Sequence, residues 1–99
     1  MSAENVAIVK SSWAGWRQKL AEQMTRDFEP GVAERIEAWS QAEGRPELQP
    51  EDFIDQGDVV LVRARPDGTD RTLWFRYELA GRRIGGWSVH EDEDAARTG

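Results

Sequence analysis

The chain has 99 residues, which is enough for a single domain spanning 1–99 with one core and little room for a large internal pocket. Its 19 acidic and 13 basic residues give a net charge of −6, which argues against general binding to nucleic acid or to an anionic membrane surface. It has no cysteine, no apolar run long enough to span a membrane and no signal peptide after Met1, so we expect a cytoplasmic protein without disulfide or thiolate chemistry.

The first predicted element is a long amphipathic helix over about residues 3–28. Ser2 suits an N-cap, and Glu4 lies where an acidic side chain stabilises the first turn. Apolar residues then recur at alternating spacings of three and four, as they do on one face of a helix, at Val6, Val9, Trp13, Trp16 and Leu20. Such a stripe is typical of a face that packs into a core.

A second helix is predicted over about residues 31–43. Glu29-Pro30-Gly31 interrupts the first pattern, and proline suits the first turn of a new helix. Val32, Ile36 and Trp39 form its apolar stripe, and Gly44 marks its end.

Four β-strands are predicted at about residues 48–55, 58–65, 70–79 and 83–90. Each turn between them contains a glycine where a tight hairpin needs a positive φ, at Gly57, Gly68 and Gly81. The acidic stretch that follows, residues 91–99, is predicted to be a solvated tail, with a short helical turn as the structured alternative. Two helices followed by an antiparallel sheet indicate an α+β fold in which the N-terminal helices pack on one face of the sheet.

The turn positions predict how the strands pair. A two-residue turn at Asp67-Gly68 places Leu61 opposite Trp74, and one at Ala80-Gly81 places Trp74 opposite Trp87. One face of the sheet is then nearly all apolar and needs a cover of helices. It carries Phe53, Val60, Val62, Leu73, Phe75, Tyr77, Leu79 and Ile84.

The opposite, outer face of the predicted sheet mixes tryptophan with arginine, the residues enriched at association hot spots. We therefore predict a dimer interface on it, formed by Leu61, Arg63, Trp74, Arg76 and Trp87. The alternative is that these tryptophans shield a neighbouring strand or the C-terminal tail. A bulge at Gly85-Gly86 would reverse the two faces of the last strand locally.

The only histidine is His90, at the end of the last predicted strand. General acid–base catalysis needs a group whose pKa can be tuned, normally a histidine or a buried carboxylate. On the predicted register His90 lies on the helix-covered face with Ser88 and Tyr77, which makes it a weak catalytic candidate; the alternative is an exposed histidine at a strand end. The acidic residues after it diverge on an extended chain, so no metal site is predicted. No P-loop or dinucleotide fingerprint is present, so no cofactor is predicted.

Three segments together resemble one known superfamily. Residues 5–9, N-V-A-I-V, with Trp13 and Trp16 resemble its opening helix, and residues 50–60, P-E-D-F-I-D-Q-G-D-V-V, resemble a hairpin common in it. Residues 83–89, R-I-G-G-W-S-V, resemble its last strand. The superfamily is the nuclear transport factor 2-like one, in the branch of SnoaL-like polyketide cyclases and ketosteroid isomerase. The resemblance implies a truncated cone-like fold with a curved four-stranded antiparallel sheet.

The chain departs from that family pattern in two places. Members usually have a further helix and a strand pair before the helix that corresponds to residues 32–43, where this chain has only residues 21–29. In the isomerase-like members that region supplies a pocket wall and the carboxylate base. Trp13 stands in place of the family's oxyanion-binding tyrosine, and an indole N–H donates a hydrogen bond but relays no proton. Both departures argue against isomerase chemistry.

The leading hypothesis is a non-catalytic binding or dimerisation module with a shallow or vestigial hydrophobic pocket. Its predicted ligand-binding residues are Trp16, Trp39, Phe53 and Tyr77. The resemblance implies a homodimer through the outer sheet face, and the other expected partner is a small hydrophobic ligand or a protein. The competing hypothesis is a cyclase- or isomerase-like enzyme that acts on a small hydrophobic substrate. A pocket containing His90 or a desolvated aspartate would favour the enzyme.

Overall fold

A computed structural model describes residues 2–18 and 26–99, with the backbone alone at Ser2 and at residues 15–18. The fold is α+β, as predicted. Its elements in chain order are helix α1 (Ser2–Gln18), helix α2 (Val32–Ala42), strands β1 (Leu48–Gln56), β2 (Val59–Pro66), β3 (Leu73–Ala80) and β4 (Arg83–His90), and helix α3 (Glu93–Thr98). The predicted first helix is present over its described part, and residues 19–25 lie outside the described residues. None of the helices in the described ranges is long and apolar enough to cross a membrane.

The four strands form one antiparallel sheet in the order β1-β2-β3-β4. The apolar stripes of α1 and α2 share one buried cluster with the inner face of this sheet. Val9 and Trp13 enter the cluster from α1, and Val32 and Ile36 enter it from α2. The helical cover predicted for the apolar sheet face is therefore present in the described residues.

The β2–β3 hairpin is longer than predicted, and its strands pair two residues out of the predicted register. Trp74 lies opposite Arg63 instead of Leu61. The turn is held by Thr69, whose backbone N–H and hydroxyl both donate to the carbonyl of Pro66, at 3.2 and 2.9 Å. The second strand of the hairpin consequently begins at Leu73 rather than at residue 70. Because the shift is even, every side chain of β2 and β3 keeps its predicted face.

A β-bulge in β4 overturns the predicted faces of that strand. Leu79 pairs with Ile84 but Glu78 pairs with Gly86, so that Gly85 is the extra residue. Beyond the bulge, Trp87 pairs with Tyr77 and points to the inner face. Gly86 permits this close pairing, because a Cβ built there would lie 3.1 Å from the Cβ of Glu78.

The segment before α2 extends the sheet beside β4. Phe28 forms a parallel bridge to Ile84, and the backbone N–H of Glu29 donates to the Ile84 carbonyl at 2.9 Å. Two arginines fix this edge: Arg83 donates to the Phe28 carbonyl at 2.7 Å, and Arg35 of α2 donates to the Trp87 carbonyl at 2.9 Å. Phe28 and α2 are thereby held against the end of the sheet that carries Trp87.

Residues 93–98 form helix α3, which corresponds to the short helical turn allowed for in the predicted tail but is docked on the sheet instead of solvated. Asp92 caps the helix by accepting a hydrogen bond from the Ala95 N–H at 2.7 Å. Ala96 is fully buried on the outer sheet face in a small cluster with Leu61 and Trp74. Arg76 of β3 donates to the carbonyls of Ala96 and Arg97, at 2.9 and 3.0 Å, which satisfies the C-terminal end of α3.

Candidate ligand-binding site

The described residues line a partly open cavity of about 510 Å³ between α1, α2 and the inner sheet face. Its apolar wall consists of Trp13, Phe28, Ile36, Trp39, Leu48, Phe75 and Trp87. Polar groups come from Ser12, Ser40 and Tyr77 and from the segment between α2 and β1. The volume falls within the roughly 300–1,000 Å³ common for small-molecule sites.

Phe75 is the central ring of the cavity wall. Trp13 and Trp39 both meet it edge to face, with ring centroids 5.4 and 5.5 Å away. Trp87 lies tilted beside it at 6.1 Å and contacts Trp39 at 5.9 Å. These rings come from α1, α2, β3 and β4, so the cavity shape depends on the packing of all four elements. Edge-to-face contacts add to the stabilisation from burial and set the rings at fixed angles.

Two indole N–H groups in this wall have no hydrogen-bond acceptor. They belong to Trp13 and Trp87, whose side chains are 8% and 7% exposed. Both lie beside the hydroxyl of Tyr77, which is 5% exposed and also lines the cavity. Buried polar groups are nearly always paired in folded proteins. Both Nε1 atoms are shielded from the cavity as well as from solvent, and the Tyr77 oxygen is the polar atom beside them.

Burial raises the pKa of the Tyr77 hydroxyl well above its ordinary value near 10. The indoles of Trp87 and Trp13 oppose this shift, because an N–H directed at the phenol oxygen favours the phenolate. Neither N–H completes a hydrogen bond of suitable length and angle with the protein. Tyr77 therefore remains a neutral phenol at physiological pH and keeps its proton for donation.

The titration of Tyr77 can be measured directly, because it is the only tyrosine of the chain. We expect its phenolate absorbance to appear at a higher pH in the folded protein than in the urea-unfolded chain. Since the folded pKa is the higher one, the associated stability is fully present below about pH 10 and is lost as the pH rises above it. Equal midpoints for the folded and unfolded chains would show that the phenol is not buried.

The polar edge of the cavity is the turn between α2 and β1. Gly44 and Arg45 both have a positive φ, 80° and 54°, and the Arg45 N–H donates to the Ser40 carbonyl at 2.7 Å. This backbone directs the exposed Arg45 guanidinium toward Glu37 of α2, with 2.8 Å between Nη1 and Oε1. The cation at the cavity edge is therefore already matched by a carboxylate.

Two of the four predicted ligand-binding residues, Trp39 and Tyr77, line the cavity. Phe53 is not among its described lining residues; it packs edge to face on Trp13 at 6.5 Å and lies under the Lys10 ammonium. The side chain of Trp16 lies outside the described residues. The structure therefore brings two of the four residues together in one wall, and their role in ligand binding stays a prediction.

The predicted placement of His90 on the helix-covered face is wrong. Because of the bulge, His90 pairs with Trp74 and Ser88 with Arg76, so both side chains lie on the outer face. His90 Nε2 is 2.8 Å from the Ser88 hydroxyl oxygen. The weak catalytic candidate is thus separated from the cavity by the sheet itself.

The predicted dimer surface is not an open apolar face. Trp87 lies in the cavity wall, so its assignment to the outer face is wrong. Leu61 is fully buried and Trp74 is 8% exposed, both in the cluster with Ala96 of α3. Arg76 is bound to α3, and of the predicted set Arg63 is the residue with substantial side-chain exposure, at 42%. The alternative, in which Trp74 packs under the C-terminal segment, fits the structure, and the homodimer stays a prediction.

Sequence reasoning missed Trp87 and Phe28 as cavity residues, and it treated Trp13 only as core and as a family counterpart. The signal for Trp87 was present in Gly85-Gly86, the pair at which a bulge was foreseen as an alternative. Phe28 lies at the end of the first predicted helix, and nothing in its surroundings indicates the bridge to Ile84.

Among the described residues there is no cluster of His, Asp or Glu that could hold a metal ion. One carboxylate is buried nearby: Asp27 is 6% exposed, accepts a hydrogen bond from Ser11 at 3.3 Å and lies 3.6 Å from the Arg26 guanidinium. It is not among the described residues that line the cavity. Its contacts with Ser11 and Arg26 account for its burial.

No protein-family model, curated protein or solved structure matches the chain. The resemblance to the nuclear transport factor 2-like superfamily therefore stays a prediction, and the site is interpreted from its own geometry.

Proposed function

We propose that the chain is a non-catalytic binding module that takes a small hydrophobic ligand into the cavity between its helices and sheet. The observation that carries this proposal is the cavity of about 510 Å³ with its wall of three tryptophans and two phenylalanines. A small domain gains stability by filling such a space with side chains. An apolar ligand supplies the missing contacts, so its binding is favoured by the burial of both surfaces.

The chemistry of the lining residues favours binding over catalysis. The carboxylates among them are Glu37 and Glu47, both from the polar edge, and Glu37 is paired with Arg45. His90 lies on the outer face of the sheet, and the buried Asp27 contacts Ser11 and Arg26. An acid–base catalyst must reach the proton that it transfers, and neither His90 nor Asp27 is among the described residues that line the cavity.

The charge at the cavity edge supports a neutral ligand. Arg45 is the cation among the described lining residues, and it is matched by Glu37 and accompanied by Glu47. An anionic ligand would meet two carboxylates there, and a cationic ligand would lose its hydration inside an aromatic wall. Uncharged, flat, apolar molecules fit both constraints.

Filling the cavity is expected to abolish most of the binding. We expect 2-ethylnaphthalene to bind saturably and to quench tryptophan fluorescence, and Ile36→Phe to weaken this binding at least about tenfold, because the larger side chain enters the cavity. Calorimetry or fluorescence titration gives the dissociation constants.

The matched control is Ile54→Phe, the same change on the outer face of the sheet, which should leave the affinity unchanged. Thermal unfolding of both variants checks that the fold is retained. Equal weakening by the two substitutions, or no saturable binding by the wild type, would contradict the proposal.

A further inference from the structure

We infer that residues 43–47 form a strap across the opening of the cavity, and that this strap opens when Arg45 leaves its left-handed backbone conformation. The strap is the connection between α2 and β1. This inference rests on the proposed function, because it states how a ligand enters and leaves the same cavity.

The first step is the position of the opening. The lining residues that come from α1, β3 and β4 are all buried, whereas the exposed lining residues, Arg45 and Glu47, lie in the strap. Pro46, between them, also lines the cavity and is half-buried. Among the described residues, the cavity therefore meets solvent at the strap.

The second step is the strain in the strap. Arg45 has a φ of 54°, and no other described residue apart from glycine has a positive φ. In this region the Cβ of an L-residue lies too close to the following carbonyl oxygen. The next residue is Pro46, whose ring favours an extended conformation of the residue before it. Two separate steric effects therefore push Arg45 toward an extended backbone.

The third step is what holds Arg45 in place. Its backbone N–H donates to the Ser40 carbonyl at 2.7 Å, and its guanidinium lies 2.8 Å from the Glu37 carboxylate. The two side chains of this ion pair are 61% and 40% exposed, so water and salt screen their attraction. An extended Arg45 gives up both contacts and relieves the strain. Because these opposing effects are of similar size, the strap has two accessible positions.

The fourth step is the anchoring on either side of the strap. Before it, Trp39 packs edge to face on Phe75, with ring centroids 5.5 Å apart. At its end, the Glu47 carbonyl accepts a hydrogen bond from the Asp67 N–H at 2.7 Å. The aromatic wall and the sheet therefore stay in place while the strap changes position. The wall sets the affinity for a ligand, whereas the strap sets the rates of entry and exit.

The test compares Arg45→Gly with Arg45→Ala. Both variants lose the ion pair with Glu37, but glycine adopts a positive φ without strain and alanine does not. We expect 2-ethylnaphthalene to enter and leave the alanine variant about fivefold faster, because alanine shifts the strap toward its open position. The two dissociation constants should agree within about twofold, because the ligand contacts the same wall in both variants. Stopped-flow tryptophan fluorescence gives the rates.

The matched control is the same pair of changes at Arg82, in the turn between β3 and β4. Arg82 is exposed, is not one of the residues with a positive φ and is not among the described lining residues. Glycine therefore has no conformational advantage over alanine there. We expect Arg82→Gly and Arg82→Ala to bind and release the probe at equal rates.

A measurement without ligand separates the strap from the function on which it rests. NMR relaxation dispersion at the amides of residues 43–47 reports exchange between two positions on the μs–ms timescale. We expect this exchange in the wild type and its loss in Arg45→Gly, where the left-handed conformation is no longer strained. Pro46→Ala should reduce the exchange as well, because it lifts the restriction on Arg45 and keeps its side chain.

The outcomes distinguish the two proposals. Exchange at the strap without saturable binding of the probe would overturn the proposed function and support the two positions of the strap. Saturable binding with equal rates for Arg45→Gly and Arg45→Ala would overturn the strap and leave the binding module intact. A wild-type strap without exchange would also contradict the inference.

Discussion

Replacing Phe75 with alanine is expected to lower the free energy of unfolding by about 4 kcal/mol. Phe75 is 2% exposed and is the ring that Trp13, Trp39 and Trp87 all contact. Its removal enlarges a cavity that is already present, so the neighbouring rings lose contacts without new ones replacing them. A loss of this size is a large part of the roughly 5–15 kcal/mol that stabilises a small domain.

The matched control is Phe53→Ala, the same change at a half-buried ring whose aromatic contact among the described residues is Trp13, at 6.5 Å. We expect it to cost about 1–2 kcal/mol, because less area returns to water. Urea unfolding followed by fluorescence gives both values. An unchanged slope of the unfolding free energy against urea concentration shows that the two-state transition is retained. Similar losses for the two variants would show that the aromatic cluster is not centred on Phe75.

The elements of the fold could be predicted because their signals are local. Spacings of four, between Val9 and Trp13 and between Val32 and Ile36, place each pair on one helix face whatever that face contacts, and all four residues are buried. The faces of β2 and β3 were predicted correctly even though the register was wrong by two residues. Because side chains alternate between the two faces of a strand, a register shift of two residues leaves each side chain on its predicted face.

The faces of β4 could not be predicted in the same way, because the one extra residue of a bulge moves every later side chain of the strand to the opposite face of the sheet. Ile84 and Trp87 are both buried on the inner face although they are three residues apart, a spacing that no regular strand permits. That spacing, together with Gly85-Gly86, is the sequence trace of the bulge. The consequence is large, because Trp87 moves into the cavity wall and His90 moves out to the other face.

The role of α3 was hidden for a different reason. Hydrophobic patterning weights large residues, whereas the contact that docks α3 is made by the fully buried Ala96. The acidic residues around it read as solvated tail, yet Asp92 is a cap and Glu93 forms an i,i+4 ion pair with Arg97. Trp74 was predicted to be covered either by a partner subunit or by the C-terminal tail. In the structure, helix α3 of the same chain covers it.

Ala96→Asp is therefore expected to detach α3 from the sheet. A carboxylate in the cluster with Leu61 and Trp74 would be buried without a cation, because the Arg76 guanidinium already binds Glu78 and the last carbonyls of α3. We expect a loss of about 3 kcal/mol, limited by the free energy with which α3 docks. A red shift of tryptophan fluorescence and faster proteolysis within residues 91–99 would report the exposure of Trp74.

The control is Ala38→Asp at an exposed position of α2, which carries the same loss of helix propensity without buried charge and should cost less than about 1 kcal/mol. Detachment of α3 would also uncover the apolar patch of Leu61, Trp74 and Val59, and patches of this kind favour association. Ala96→Asp should then sediment as a concentration-dependent oligomer more readily than the wild type or Ala38→Asp. If it stays monomeric with Trp74 exposed, the outer face has no tendency to pair, and the predicted homodimer loses its surface.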